Sequence, residues 1–380
     1  MTPKTENELV DAIAGATAPL HITGGGTRDI GNPVTGDAVS TAALSGISLY
    51  EPGALTLVAQ AGTPVAEIEA ALAAENQRLA FEPMDHRRLL GSTGTPTIGG
   101  VVAANVSGPR RIAVGACRDH MLGVRFVDGQ GAVLKNGGRV MKNVTGYDLV
   151  KLLSGSYGTL GVLSEVSLKV LPKPETSATL RLGGLDISRA VKAMSAALGS
   201  PFEVTGAAYS GDVNIRIEGF AASVAYRMEK LKSLLSEFGD ELGQFDGADS
   251  SVIWQDITDV KRFADAPAVW RISLRPSQAA DFISGLAQPE AVDYALDWGG
   301  GLIWLATRPE AAAAGIEAIH ADVQARAAQF GGHATLIKAP MAARAAVAVF
   351  QPENPVVSKL SQGLRARFDP RGILNAGLMA

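Results

Sequence analysis

Short apolar runs separated by glycine-containing turns fill the first half of the chain and predict β-strands. The predicted strands lie at residues 20–23, 56–61, 123–127, 132–135 and 162–170. Helical spacing of apolar residues predicts helices at 6–14, 64–75 and 148–153. At the second of these helices, Thr63 is the predicted N-cap and Pro64 the first helical residue, with Glu67 in the first turn.

After Lys173 and Pro174 one order of elements occurs twice: strand, helix, strand, strand, helix. The first set is predicted at residues 179–182, 188–198, 204–209, 213–218 and 221–238. The second set is predicted at 269–274, 277–286, 292–297, 302–307 and 309–330, with a last strand at 334–338. This order predicts an antiparallel sheet covered by helices and built from two ferredoxin-like halves. A further helix is predicted at 355–368.

The composition is that of a folded protein, with 380 residues of which 47% are hydrophobic and 19% charged. Two domains with sizeable cores are therefore expected. No run of eighteen uncharged apolar residues occurs, and the first residues lack the basic start and apolar core of a signal peptide. The single cysteine, Cys117, excludes an internal disulfide framework and an iron–sulfur cluster held by this chain's cysteines alone. We expect a cytoplasmic protein, with peripheral docking at the inner face of the cell membrane through a complex as an alternative.

Positive charge is concentrated between residues 86 and 142, although the net charge of the chain is −4. Nine basic residues and two acidic residues, Asp119 and Asp128, leave this segment a net charge of +7. The basic residues are Arg87, Arg88, Arg110, Arg111, Arg118, Arg125, Lys135, Arg139 and Lys142. The segment is either a solvated basic face or a site for an anionic ligand or acidic partner. Nucleic acid is disfavoured because the overall balance is acidic and no standard reading motif occurs.

Several common sites are excluded by their motifs. No Gly-Lys pair occurs, which excludes a Walker-type phosphate loop, and no G-x-G-x-x-G opens a β-α unit, which excludes an ordinary Rossmann site. The motifs H-E-x-x-H and G-x-S-x-G are also absent. The five histidines are too dispersed to predict a metal cluster, so no metal site is expected.

Three glycine clusters remain, each beside a predicted strand. They are H-I-T-G-G-G-T-R-D at 21–29, T-I-G-G-V-V-A-A-N-V-S-G-P-R at 97–110 and G-S-Y-G-T-L-G-V-L-S-E-V at 155–166. In the first, successive amides can form a concave nest for phosphate oxygens, with Thr27 as a further donor and Arg28 to neutralise charge. In the second, small residues would let a flat ring lie against the chain, with Asn105 and Ser107 as polar contacts.

Taken with K-N-V-T-G-Y-D-L-V-K-L-L at 142–153, the spacing of these clusters closely resembles a known FAD-binding domain. It is that of the vanillyl-alcohol oxidase/p-cresol methylhydroxylase (PCMH) flavoproteins. The tail F-D-P-R-G-I-L-N-A-G is similar to that family's F-D-P-x-G-I-x-N-P-G, with Ala376 where proline is common. Within the family, G-G-G-T-R-D, Y-D-L-V-K-L-L-S-G-S-Y-G-T-L-G and G-G-H-A-T-L-I-K-A-P are most similar to the FAD-binding subunits of glycolate oxidase complexes.

The resemblance implies an α+β fold of three parts. Residues 1–174 would form a two-subdomain PCMH-type FAD-binding domain. Residues 175–345 would form an antiparallel-sheet cap domain with ferredoxin-like repeats. Residues 346–380 would be a C-terminal segment that returns to the FAD site.

It also implies which residues contact FAD. Residues 24–27 would cradle the pyrophosphate, 97–100 and 103–108 would lie along the flavin and ribityl chain, and Asn375 would reach the ring. Pro83 would either shape the flavin edge or be an ordinary loop proline. The expected FAD-binding residues are Ile22, Thr23, Gly24, Gly25, Gly26, Thr27, Arg28, Asp29, Pro83, Thr97, Gly99, Gly100, Ala103, Ala104, Asn105, Ser107, Gly108, Gly158, Gly161, Val162 and Asn375.

The sequence departs from the family pattern at two places. Many members attach FAD covalently through a histidine just after the first glycine pair, where this chain has Gly26 and Thr27, so non-covalent FAD is expected. The self-sufficient 2-hydroxyacid dehydrogenases carry a cap motif like H-x-H-x-G-D-G-N-x-H. Here it is absent, and S-G-D-V-N at 210–214 is an echo without histidine.

No catalytic residue is therefore assigned. Deprotonating a hydroxyl during hydride transfer needs a positioned base. The remaining candidates are His333 and Lys338, while His320 is expected on the surface of a helix.

Three functions stay open. In the first, the chain is a FAD-binding redox subunit of a glycolate (2-hydroxyacid) oxidase or dehydrogenase complex and relays electrons. Its partners would be a sister FAD-containing catalytic subunit and an iron–sulfur subunit. In the second, it is a self-sufficient FAD oxidoreductase acting on a small hydroxylated substrate. In the third, it is a non-catalytic assembly subunit.

Overall fold

The computed structural model of the chain describes residues 1–138, 146–309 and 315–379. Arg139 and Lys142 of the basic segment, and residues 310–314 of the helix predicted at 309–330, lie outside the described residues.

The strands follow the apolar runs of the sequence. They are β1 (Leu20–Thr23), β2 (Asp37–Ser40), β3 (Ile47–Glu51), β4 (Thr56–Gln60), β5 (Gln77–Arg78), β6 (Met121–Val127), β7 (Val133–Gly137), β8 (Val162–Lys169), β9 (Leu171–Pro172), β10 (Thr176–Leu182), β11 (Val204–Tyr209), β12 (Val213–Gly219), β13 (Leu242–Asp246), β14 (Val269–Ser273), β15 (Val292–Asp297), β16 (Leu302–Thr307) and β17 (His333–Lys338).

The α-helices lie between these strands and after the last one. They are α1 (Glu6–Ala14), α2 (Val65–Ala74), α3 (Arg87–Leu90), α4 (Ile98–Ala103), α5 (Arg111–Val114), α6 (Leu149–Leu153), α7 (Ile187–Leu198), α8 (Ala221–Leu235), α9 (Gly247–Thr258), α10 (Ala279–Ser284), α11 (Ile316–Gln329), α12 (Met341–Ala346) and α13 (Pro355–Phe368). No helix among the described residues is both long enough and apolar enough to span a bilayer.

The chain divides into two compact units. The first comprises residues 1–107, 115–173 and 352–380, and the second comprises 108–114 and 174–351. The short segment 108–114 thus belongs with the second unit, although it lies within the glycine-rich region of the sequence. The sequence predicts domain boundaries at residues 174 and 345, and these stay predictions.

The first unit is built on a five-stranded antiparallel sheet and a parallel pair. The sheet has the order β3-β4-β8-β6-β7, and β1 pairs in parallel with β2. The apolar face of α1, with Leu9 and Ile13, is buried against Leu20 of β1 and Val39 of β2. This packing fixes β1, and β1 carries the first glycine cluster at its carboxyl end.

The tail motif is part of the same core. Leu20 donates its amide to the Ile373 carbonyl at 2.7 Å, and Asn375 donates its own to the Leu20 carbonyl at 3.1 Å. The Arg371 guanidinium donates to the carbonyls of Ile13 and Ala14, in the last turn of α1, and of Ala16 just after it. The tail motif therefore positions Asn375 beside β1.

The second unit is an eight-stranded antiparallel sheet of two similar halves. Its order is β13-β10-β12-β11-β15-β16-β14-β17, and the halves are β10–β13 and β14–β17. In each half the first strand lies between the fourth and the third, and the second strand lies at the centre of the whole sheet. The halves join through β11 and β15, where Tyr209 pairs with Leu296. The α+β class and the two ferredoxin-like halves predicted from the sequence are confirmed.

Two local predictions were wrong. Helix α2 starts at Val65 with Pro64 as N-cap, and no side chain caps it. The Thr63 hydroxyl donates instead to the Gln60 carbonyl at 2.7 Å, inside the turn that precedes the helix. His320 is buried rather than exposed, because its Nδ1 accepts a hydrogen bond from the Trp270 indole at 3.1 Å in the core of the second unit.

Candidate functional site

The first glycine cluster forms the loop after β1, and residues 94–97 lie directly against it. Thr95 donates its amide to the Gly25 carbonyl at 3.0 Å. A Cβ on Gly25 would lie 1.7 Å from the Thr95 carbonyl oxygen, and one on Gly24 would lie 2.5 Å from Thr97 Oγ1. Glycine is therefore required at both positions because two stretches of backbone meet there.

The amides of this loop are available as donors. Within the described residues, the N–H groups of Gly24, Gly25, Gly26 and Thr27 donate no hydrogen bond to the protein. Gly26 adopts a left-handed φ of 72°, which turns the chain at the middle of the run. Successive amides in such a turn are the donor set of an anion-binding nest.

Arg28 adds a positive charge next to these amides. Its Nε donates to His86 Nδ1 and its Nη2 to the Met84 carbonyl, both at 3.2 Å. Burial lowers the pKa of the guanidinium to about 10, against the opposing effect of the nearby Asp85 carboxylate. Arg28 therefore remains charged at neutral pH, held in one orientation by residues 84–86. Pro83 immediately precedes this stretch.

The second cluster forms α4 and the turn that follows it. Thr97 caps the helix by accepting from the Gly100 amide, and Gly99 packs so closely on β4 that a Cβ would lie 2.6 Å from the Ala61 Cβ. Asn105 Oδ1 accepts from the Arg118 amide at 3.0 Å, and Ser107 Oγ accepts from the Cys117 amide at 2.9 Å. These two side chains stabilise the neighbouring turn, and their expected contact with FAD remains a prediction.

The third cluster meets the tail at Asn375. Asn375 Oδ1 accepts from the Ile22 amide at 2.7 Å, and its Nδ2 donates to the carbonyls of Tyr157 at 2.9 Å and Ile22 at 3.3 Å. Gly158 has a φ of 74°, and a Cβ there would lie 3.2 Å from Asn375 Nδ2. Asn375 thus fastens the tail, β1 and the third cluster together through backbone contacts.

A cleft in the first unit collects residues from all three clusters and the tail. Of the expected FAD-binding residues, it is lined by Ile22, Thr23, Gly24, Gly99, Gly100, Ala103, Gly158, Gly161, Val162 and Asn375. Residues 25–28 continue from this cleft along the loop, Thr97 and Ala104 cap the two ends of α4, and Asp29 follows Arg28. Gly108 belongs to the second unit, where its carbonyl accepts from the Trp298 indole at 3.1 Å.

These residues fit FAD. The loop offers amide donors and a cation for a diphosphate, while the glycines and Ala103 leave the cleft wall flat for a ring system. Among the residues that the structure describes, no group of three His, Cys, Asp or Glu side chains could hold a metal ion.

The two candidate bases lie at opposite ends of β17. They are five residue steps apart along the strand, or about 16 Å, so they cannot act on one substrate atom together. Lys338 Nζ donates to the Ala264 carbonyl at 2.7 Å, and burial lowers the pKa of its ammonium group. His333 is exposed, and the pKa of its imidazole is lowered by desolvation and by the charges of Arg271 and Arg111.

Sequence reasoning missed the surroundings of His333 and the support of Arg28. The Arg111 and Arg271 guanidinium carbons lie 4.5 and 5.2 Å from the centre of the Trp298 ring. For the surroundings of His333, the signal in the sequence was the run Trp298-Gly299-Gly300-Gly301. His86 is 58 residues from Arg28, and no local pattern connects them.

Comparisons with known proteins give the family. The FAD binding domain family matches residues 1–137. The chain is 34% identical over 377 residues to the glycolate oxidase subunit GlcE of Escherichia coli K12, covering 98% of this chain and 95% of GlcE. It is 44% identical over 84 residues to the glycolate oxidase subunit GlcD of Bacillus subtilis, covering 22% of this chain and 18% of GlcD.

A solved structure shares the fold. The 4-ethylphenol oxidase of Gulosibacter chungangensis, in complex with isoeugenol, aligns with a TM-score of 0.75 at 13% identity, covering 100% of this chain and 88% of that one. The identity to GlcE over nearly the full length of both chains is high enough to assign the family. The chain belongs to the family of FAD-binding flavoproteins that contains E. coli GlcE, and FAD is its cofactor.

Proposed function

We propose that this chain is the FAD-binding redox subunit of a glycolate (2-hydroxyacid) oxidase complex, and that it relays electrons within that complex. The observation that carries the proposal is the 34% identity to a glycolate oxidase subunit across 98% of the chain. The proposed partners are a sister FAD-containing catalytic subunit and an iron–sulfur subunit. We place the complex in the cytoplasm, at the inner face of the cell membrane.

The protein's own contribution is to bind and orient the cofactor. In this proposal the amides of residues 24–27 donate to the diphosphate, and Arg28 neutralises part of its charge. The flat cleft wall formed by Gly99, Gly100 and Ala103 excludes water from one side of the bound group. FAD supplies the redox chemistry when bound.

The binding is proposed to be non-covalent. Gly26 and Thr27 occupy the place of the histidine that other family members use for attachment. The nearby His86 has its Nδ1 engaged by Arg28. Acid precipitation should therefore release all the FAD into the supernatant, and flavin left in the pellet would contradict this part of the proposal.

The relay role is supported by the state of the candidate bases. Lys338 is hydrogen-bonded to a backbone carbonyl, and the sequence lacks the hydroxyacid motif of self-sufficient relatives. Glycolate oxidation by the whole complex, with far slower oxidation by this chain alone, is the expected result. Equal rates would overturn the relay role.

One observation favours a second function, a self-sufficient oxidoreductase for a small hydroxylated acid. His333 is exposed, has a lowered pKa and lies near the positive charges of Arg271 and Arg111. A neutral imidazole could accept a proton while the two arginines bound a carboxylate. His333→Gln would then abolish flavin reduction by substrate in the isolated chain, whereas under the relay proposal it changes nothing.

A further inference from the structure

Helix α13 presents its apolar side to solvent. Val356, Leu360 and Leu364 follow one another at four-residue spacing and therefore share one face, with Val357 beside them. The exposed fractions are 69% for Val356, 48% for Val357, 65% for Leu360 and 39% for Leu364. A surface helix of a globular protein ordinarily turns such a face toward its core.

The side of the helix that is less exposed to solvent carries mainly polar side chains. Ser358, Ser361 and Arg365 are only partly exposed, and the Ser361 hydroxyl donates to Glu353 at 3.1 Å. Phe368 is the apolar contact at the end of the helix, with its ring 6.0 Å from that of Phe126. None of the fourteen residues of α13, all of them described, is buried.

The C-terminal end of the helix is nevertheless tied to the first unit, and its N-terminal end is capped. Asn354 caps its N-terminus by accepting from the Val356 amide at 2.9 Å, and the Phe368 carbonyl accepts from the Gly129 amide at 2.9 Å. The apolar face takes no part in either of these contacts.

Charge indicates what the face would meet. Residues 355–368 contain Lys359, Arg365 and Arg367 and no acidic residue. A second copy of the chain would bring like charges together, which disfavours self-association through this face. A membrane surface is disfavoured as well, because the face lacks the tryptophan and tyrosine that are enriched where proteins meet the lipid interface.

We propose that α13 is a docking helix for a partner chain of the oxidoreductase complex, and that the partner receives it in an apolar groove bordered by carboxylates. This inference rests on the proposed function, since it requires the chain to be a subunit. The mode is that of an amphipathic helix laid in a groove, with Leu360 and Leu364 at its centre. Four aliphatic side chains are less than a full interface, so other surfaces of the chain contribute to the complex.

The test uses affinity-tagged chain purified from its native source, with co-purified chains identified by mass spectrometry and by flavin and iron–sulfur absorbance. The variant Leu360→Glu/Leu364→Glu places two negative charges on the apolar face. The matched control, Gln362→Glu/Ala366→Glu, places the same charges on exposed positions of the opposite face. FAD content and melting temperature report the folding of each variant.

The wild type and the control should retain the partner chains, and Leu360→Glu/Leu364→Glu should lose them at least tenfold with unchanged FAD content. Lys359→Glu/Arg367→Glu should lose them to a smaller extent and more strongly at low salt, because it removes the charge complementarity. Full retention of the partners by Leu360→Glu/Leu364→Glu would overturn the docking helix and leave the proposed function standing.

Three other outcomes also count against it. A wild-type chain that carries FAD but co-purifies with no partner would overturn the proposed function and the docking helix together. A dimer of the isolated wild-type chain that Leu360→Glu/Leu364→Glu converts to a monomer would assign the face to a second copy. Sedimentation of the isolated chain with anionic phospholipid vesicles, lost in the same variant, would assign the face to the membrane.

Discussion

The two units of the molecule use their polar groups in opposite ways. In the first unit, the amides of residues 24–27 have no acceptor among the described residues, and Arg28 lies beside them. In the second, buried charges are paired: Arg110 and Glu218, with side chains 9% and 6% exposed, form an ion pair at 2.8 Å. The Trp254 indole likewise donates to Thr179 at 2.8 Å.

This difference separates ligand binding from stability. Donors left available beside a cation can bind an anion, so the first unit is built to be completed by its cofactor. Polar groups that are already paired belong to the folded interior of the second unit instead, where removal of one partner leaves the other buried and unpaired. The four tryptophans, at 254, 270, 298 and 304, all lie in the second unit, so tryptophan fluorescence reports on that unit alone.

The largest expected effect is on stability in the second unit. Arg110→Ala leaves the buried Glu218 carboxylate without its closest partner, at a cost of about 3–5 kcal/mol in the free energy of unfolding. Urea unfolding followed by tryptophan fluorescence measures it. Arg110→Met/Glu218→Met removes both charges of this pair and should recover part of the loss, because the buried Arg216, 3.9 Å from Glu218, loses its acidic neighbour. If Arg110→Ala changed FAD content and left the unfolding midpoint unchanged, the separation of roles would be wrong.

The next effect is on the backbone cradle of the first unit. Gly25→Ala puts a Cβ where the Thr95 carbonyl lies, so residues 94–97 must move away from the loop. Overpacking of this kind costs up to about 3 kcal/mol. The displaced loop must be restored before the diphosphate can bind, so the affinity for FAD should fall by up to about 100-fold. Fluorescence titration of the apoprotein with FAD measures it. Gly53→Ala is the control, because nothing lies within 4 Å of its Cβ position. Equal affinities for the two variants would contradict the cradle.

Arg28→Ala should have a smaller effect on the same titration. A charge-assisted hydrogen bond contributes about 1.5–3 kcal/mol, so the affinity for FAD should fall about 10- to 100-fold. The affinity of Arg28→Lys should lie between those of Arg28→Ala and the wild type. Because the pKa of Arg28 is about 10, the wild-type affinity should also fall as the pH rises above that value, and the affinity of Arg28→Ala should not. The tryptophan unfolding curve should be unchanged.

The smallest effect is a pH dependence in the second unit. Burial lowers the pKa of His320. The unfolded chain therefore binds more protons than the folded one below about pH 6.5, and stability falls on acidification by at most about 1.4 kcal/mol per pH unit. His333, with its lowered pKa, contributes with the same sign. In His320→Gln the unfolding midpoint, followed by tryptophan fluorescence, should depend less on pH between pH 7 and 5.5. In His320→Gln/His333→Gln it should depend on pH less still. An unchanged slope in both would contradict the assignment.

The sequence was most informative where contacts are local. The repeated strand and helix order predicted the two halves of the second unit, because each β-α-β-β-α segment folds on itself with short connections. The glycine clusters likewise predicted where the backbone comes close to other groups, and Gly25 and Gly158 do so.

The remainder depends on contacts between residues distant in the chain. His86 orients Arg28 across 58 residues, and Asn375 binds Ile22 across 353. Its position on a helix predicts a surface location for His320, but the Trp270 indole donates to it in the core of the second unit. Such partners are chosen by the folded structure, and periodicity along the sequence does not contain them.

The most direct test of the account is anaerobic flavin reduction. The purified chain, loaded with FAD, is mixed with glycolate without oxygen, and the flavin absorbance is followed beside that of the intact complex. The relay account predicts that the flavin of the isolated chain stays oxidised while that of the complex bleaches. Bleaching of the isolated chain at a rate comparable with the complex would contradict it.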